Sequence, residues 1–129
     1  MRKWMMVSLM VFTVALLGAC QSNAIEKIDA DQAIEMMEEN PSIVLLDVRE
    51  YSEYVTERID GSELLPLSIL ESSLENTYPD KSTTFIVYCR SGNRSAEAVS
   101  IMADAGYENI YDLGGILDWP YETVSGAPN

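Results

Sequence analysis

A chain of 129 residues carries 21 Asp and Glu against 8 Lys and Arg, a formal net charge of −13. That length supports one compact domain, and that charge excludes recognition of nucleic acid through its phosphates, which needs a basic face. There is no histidine, so His-ligated zinc sites, Cys-His proteases and Ser-His-Asp hydrolases are excluded as well.

The chain opens with Arg2 and Lys3, then runs without charge from Met5 to Ala19 and ends that run in small residues. A basic head, an apolar stretch and a small-residue end are the three parts of a secretory signal. The stretch is shorter than the roughly 20 apolar residues of a bilayer-spanning helix, which favours a cleaved signal over a permanent anchor. Its end, Leu17-Gly18-Ala19-Cys20, resembles the lipobox of bacterial lipoproteins. That resemblance implies a signal peptide over 1–19, lipid on the sulfur of Cys20 and a polar tether over 20–27. The protein is then expected outside the cytoplasm, held to the bacterial cell membrane, inner or outer, by acyl chains worth about 0.8 kcal/mol per buried methylene. Losing 2 of the 8 basic residues leaves 6 against 21 acidic ones, a net charge of −15. Lipid on Cys20 leaves Cys89 as the one remaining thiol, which excludes an internal disulfide.

From Lys27 the chain is expected to start extended and turn helical, with Asp31 as cap, Ala33, Ile34, Met36 and Met37 on one face, and Pro41 past the end. Ile43 to Leu46 form an apolar run that suits a parallel strand buried on both faces. A short acidic helix follows, ending near Gly61. Next come a short strand in Glu63–Leu67 and a helix with Ile69, Leu70 and Leu74 inward, closed by Pro79. The β-branched and aromatic run Thr83–Cys89 is a central strand. The helix after it shares one face among Ala98, Ile101, Met102 and Ala105, with Gly106 at the position after its end. Asn109–Leu113 makes a last strand. This alternation predicts an α/β fold with a parallel sheet of about five strands flanked by helices on both faces.

The chemistry concentrates in "YCRSGNRS". Cys89 ends the central strand, and ligands gather at the carboxyl ends of strands in open α/β sheets. Gly92 and Asn93 tolerate the tight backbone that turns successive N–H groups inward as an anion nest. The helix N-terminus, Arg90 and Arg94 add positive charge, and together these features favour the thiolate of Cys89. The bland alternative is a buried strand-end cysteine with two arginines in surface ion pairs.

These residues resemble the single-domain rhodaneses, sulfurtransferases that work through a persulfide. The likeness runs from Ile28 to Glu122, within a domain placed at 28–129. It is carried by Asp47, Val48, Arg49, Glu50, Glu53 and Tyr54 in "LLDVREYSEY", by "YCRSGNRS", and by Leu113, Gly114, Gly115 and Trp119 in "DLGGILDW". Ile59 and Gly61 also match, whereas Arg58 stands where the family usually has histidine. The resemblance implies that Cys89 is the nucleophile and that the backbone from Arg90 through Ser91, Gly92, Asn93 and Arg94 to Ser95 holds the sulfur anion. Arg90 and Arg94 would hold an anionic sulfur donor such as thiosulfate, with Arg94 alternatively structural. Asp47 and Arg49 would tie the loop to the sheet, and Ser91 and Ser95 would either donate hydrogen bonds or shape the turn. A thiol or cyanide accepts the sulfur, and no metal or other cofactor is implied. Four residues separate Cys89 from Arg94, one fewer than tyrosine-type phosphatases use. That leaves a phosphatase or arsenate reductase as the weaker enzymatic alternative, and a non-catalytic sulfur-carrying or sulfur-sensing module as the alternative outside catalysis.

Overall fold

The computed structural model describes residues 24–129. The expected signal peptide, Cys20 and the first half of the tether, 20–23, lie outside the described residues. Five strands form one sheet: β1 Ile25–Lys27, β2 Val44–Asp47, β3 Glu63–Leu64, β4 Thr84–Cys89 and β5 Asn109–Gly115. Their order is β1-β5-β4-β2-β3, and every pairing is parallel. Four helices connect them: α1 Ala30–Glu39, α2 Tyr51–Thr56, α3 Leu67–Thr77 and α4 Asn93–Asp104.

Alternation along β4 sorts the core into two layers. Phe85, Val87 and Cys89 join Leu70 and Leu74 of α3 and Ala98, Val99 and Met102 of α4. Ile86 and Tyr88 point the other way, to Ala33 of α1, Ile59 and Ile116. Burying a large apolar side chain contributes roughly 1.5–3 kcal/mol, and residues 85 to 89 are all buried. β4 is therefore clamped from both sides, and the loop leaving it starts from a fixed point.

Several expectations are corrected in detail. β1 begins at Ile25, inside the stretch read as tether, because Ile25–Lys27 pair with Ile110–Asp112 of β5. Asp29 rather than Asp31 caps α1: its carboxylate accepts the Gln32 N–H, and the Gln32 side chain answers by accepting the Asp29 N–H, both at 2.9 Å. α2 stops at Thr56, well before Gly61, because Glu57 turns extended and gives its carbonyl to Arg49 at 2.6 Å. Ile69 faces solvent, 46% exposed, while Leu70 and Leu74 are buried. β5 runs on to Gly115 through a register irregularity beside Val87 and Tyr88, which bends its end toward the loop after β4.

Candidate active site

Cys89 ends β4 with 1% of its surface exposed and is a free thiol. The chain then turns at Gly92, whose φ of +106° is the left-handed conformation glycine adopts without strain. This turn aims the Gly92 N–H back at the cysteine, and it donates to Sγ at 3.0 Å. α4 starts at the next residue, so its first turn lies against the same sulfur. The Ser95 hydroxyl and the Ala96 N–H both donate to the Gly92 carbonyl, at 3.0 and 3.1 Å, and lock the turn from below. Among the described residues the N–H groups of Ser91, Asn93, Arg94 and Ser95 donate to no protein acceptor. A row of open donors at a helix start is a ready anion cradle.

The two arginines of the loop have different surroundings. Arg94 donates to both carboxylate oxygens of Glu53 on α2, at 2.7 and 2.8 Å. Glu53 is also fixed by the Glu50 N–H at 3.0 Å. The Arg94 hydrogen bond holds the Glu53 carboxyl down at about 2 against some opposing desolvation, and the same bond raises Arg94. Arg90, by contrast, is exposed and pairs with no carboxylate among the described residues. Ser91 is exposed and Ser95 buried.

Asp47 and Arg49 lie at the end of β2, one strand over. Arg49 Nη2 meets Asp47 at 2.7 Å, with both side chains almost wholly buried. Burial alone would lower the Arg49 pKa, but the hydrogen bond and charge of Asp47 outweigh it and leave the guanidinium raised. Arg49 also donates to the Glu57 carbonyl, so this pair ties β2 to the end of α2. Arg58 does a different job. Its guanidinium donates to the Gly126 carbonyl at 2.6 Å and lies over the Tyr54 ring, while its backbone bridges Val124. It fastens the C-terminal tail.

Beside the loop opens a cleft of about 410 Å³, with Ser52, Glu53, Thr56 and Glu57 on the α2 side. Arg90, Ile116 and Leu117 form the opposite side, and Arg49 also lines it. The Leu117 N–H donates to the Arg90 carbonyl at 3.2 Å and holds that wall to the loop. Ser91, Gly92 and Asn93 instead border a second hollow of about 380 Å³ with Leu113 and Asp118. Among the described residues no three His, Cys, Asp or Glu side chains gather as metal ligands.

Two contributors went unrecognised in the residue-by-residue reading. Glu53 was matched as part of a signature without a partner, and its spacing after Glu50 at a helix start was the available signal. In the sequence Gly115 stands out only as one position of "DLGGILDW". In the fold it presses on the loop: a Cβ there would overlap the Arg90 carbonyl oxygen and lie 2.8 Å from Ser91 Cα. Nothing in the local sequence indicates that approach.

A doubly covered parallel sheet, with a cysteine at the tip of its central strand and a backbone cradle at the following helix, defines a rhodanese fold. The Rhodanese-like domain model matches residues 29–121, and the chain belongs to that family. It is 32% identical over 81 residues to thiosulfate sulfurtransferase PspE of Escherichia coli K12, covering 63% of this chain and 78% of that one. It is 37% identical over 91 residues to protein slr1261 of Synechocystis, covering 70% of this chain and half of that one. A rhodanese from E. coli, solved with anions, superposes with a TM-score of 0.60 at 31% identity, covering 65% of this chain and 99% of its own.

Proposed function

We propose that this protein is a sulfurtransferase that carries sulfane sulfur on Cys89. The observation that carries the reading is the Gly92 N–H aimed at the Cys89 sulfur at 3.0 Å, at the head of a helix whose first N–H groups have no protein acceptor. In the first half-reaction the Cys89 thiolate attacks the outer sulfur of thiosulfate. The sulfur–sulfur bond breaks, its electron pair leaves with sulfite, and Cys89 is left as a persulfide. The open amides of Ser91, Asn93, Arg94 and Ser95 stabilise the negative outer sulfur. In the second half-reaction a thiolate or cyanide takes that sulfur, and the pair of the breaking bond returns to Cys89. Arg90 attracts the anionic donor, and Arg94, already paired with Glu53, shapes the cradle.

Intact-mass spectrometry after thiosulfate treatment tests this directly. The protein should gain the mass of one sulfur atom, lose it on adding cyanide with formation of thiocyanate, and do neither as Cys89→Ser. A gain in the serine variant, or no gain in the parent, ends the proposal.

The same proposal puts the enzyme outside the cytoplasm on a lipid attached to Cys20, supported by the basic head Arg2 and Lys3, the uncharged run from Met5 to Ala19 and the Leu17–Cys20 pattern. Cys20→Ala should move the protein out of the membrane fraction or stall its processing. Equal partition of variant and parent would remove the anchor and leave the chemistry untouched.

A further inference from the structure

α2 has little of its own to hold it in place. It is 6 residues long and Tyr54 is its one buried residue, so neither helix propagation nor burial fixes it firmly. A helix end leaves its last carbonyls without partners, and here groups from beyond the helix take them. The Tyr54 carbonyl accepts from Arg58 Nη1 at 3.3 Å, and the Val55 carbonyl accepts the Gly126 N–H at 2.7 Å. The same Arg58 nitrogen donates its second hydrogen to the Gly126 carbonyl at 2.6 Å. Arg58 and Val124 exchange backbone hydrogen bonds, each at 2.9 Å, and the guanidinium stands 4.6 Å from the centre of the Tyr54 ring. Upstream, the Tyr121 hydroxyl donates to Asp31 in the first turn of α1. The segment 121–126 is thereby fastened at both ends, and one fastening is the end of α2.

Glu53 is what α2 brings to the cradle. It lies one residue before Tyr54 and receives Arg94 at 2.7 and 2.8 Å, and Arg94 stands in the first turn of α4 beside Cys89. A two-pronged ion pair needs both partners in fixed positions, so its geometry depends on where α2 is held. Resting on the sulfurtransferase reading, we infer that Arg58 and residues 124–126 form a positioning strap: by gripping the end of α2 they fix Glu53, and through it Arg94, for the anionic donor. Gly92, which aims its N–H at the sulfur, is fixed separately by Ser95 and Ala96. The strap therefore governs capture of the donor more than transfer of its sulfur.

The test uses the full chain, assayed with thiosulfate and cyanide, against two variants that remove the strap from opposite sides. Arg58→Ala and a chain stopped after Thr123 should each raise KM for thiosulfate roughly fivefold, as for one lost hydrogen bond, and keep kcat within about twofold. A variant that is only destabilised loses active protein instead, which lowers kcat at unchanged KM. Added to Glu53→Gln, Arg58→Ala should raise KM by less than about twofold, because both changes act on one ion pair. Hydrogen exchange of the α2 amides needs no sulfur chemistry and should speed up in both strap variants. With the parent active, an unchanged KM, a full multiplication of effects in the double variant, or exchange equal to the parent's overturns the inference alone. A parent that forms no persulfide with thiosulfate overturns the sulfurtransferase reading and the inference with it, and faster exchange then shows a strap that is purely structural.

Discussion

Two neighbouring strand ends in this molecule gather charge and use it in opposite ways. At the end of β2, Asp47 and Arg49 are 0% and 4% exposed, and Asp47 accepts both the side chain and the N–H of Arg49. At the end of β4, the Arg94–Glu53 pair keeps about a third of each side chain in solvent, and the loop beside it leaves its N–H groups open. The first corner is closed and holds the scaffold. The second is open and available for chemistry. Both arise from a parallel sheet, which delivers successive strand ends to one edge and lets the local residues decide whether that edge is sealed.

Breaking the closed corner should cost the most stability. Asp47→Ala leaves a buried guanidinium without its counter-charge and should cost about 3–5 kcal/mol, read as a lower urea midpoint at unchanged slope. Gly115→Ala attacks the junction between the corners and the loop. A Cβ there has no room beneath Arg90 and Ser91, and overpacking of this kind costs about 1–3 kcal/mol. Because the displaced atoms belong to the proposed sulfur cradle, persulfide loading should fall further than stability does. An equal fall in both would mean that Gly115 serves packing alone.

The open pair should matter least to folding. The folded Glu53 carboxyl titrates at about 2, below its ordinary 4.5. Its contribution is therefore complete above the ordinary value and lost as pH falls from there through about 2. Partial exposure limits it to about 1 kcal/mol or less. Glu53→Gln should flatten the stability curve across that acid window, while its larger effect is a raised KM for the donor once Arg94 loses its fixed position. Unchanged KM together with an unchanged acid limb would show that the pair neither holds the cradle nor stabilises the fold.

Legibility in the sequence followed the range of the interactions. Apolar runs and turn residues act within a few positions, so the strand ending in Cys89, the helix after it and the glycine between them were readable from Thr83 to Gly106. Errors came where a distant group decided the outcome. α2 ends early because Arg49 captures the Glu57 carbonyl, and Ile69 is exposed although its own spacing pointed inward. Arg58 held a marked position in the resemblance, yet its guanidinium is engaged by Gly126, 68 residues away in the chain.

The amino-acid order by itself determined the layered α/β plan and the chemical group at its centre, because periodicity and turn preference are properties of neighbours along the chain. Only the tertiary structure decided which arginine of the loop is paired and which has no carboxylate partner among the described residues, since Glu53 reaches Arg94 from 41 positions away. Charge pairing depends on distance through space, and folding sets that distance.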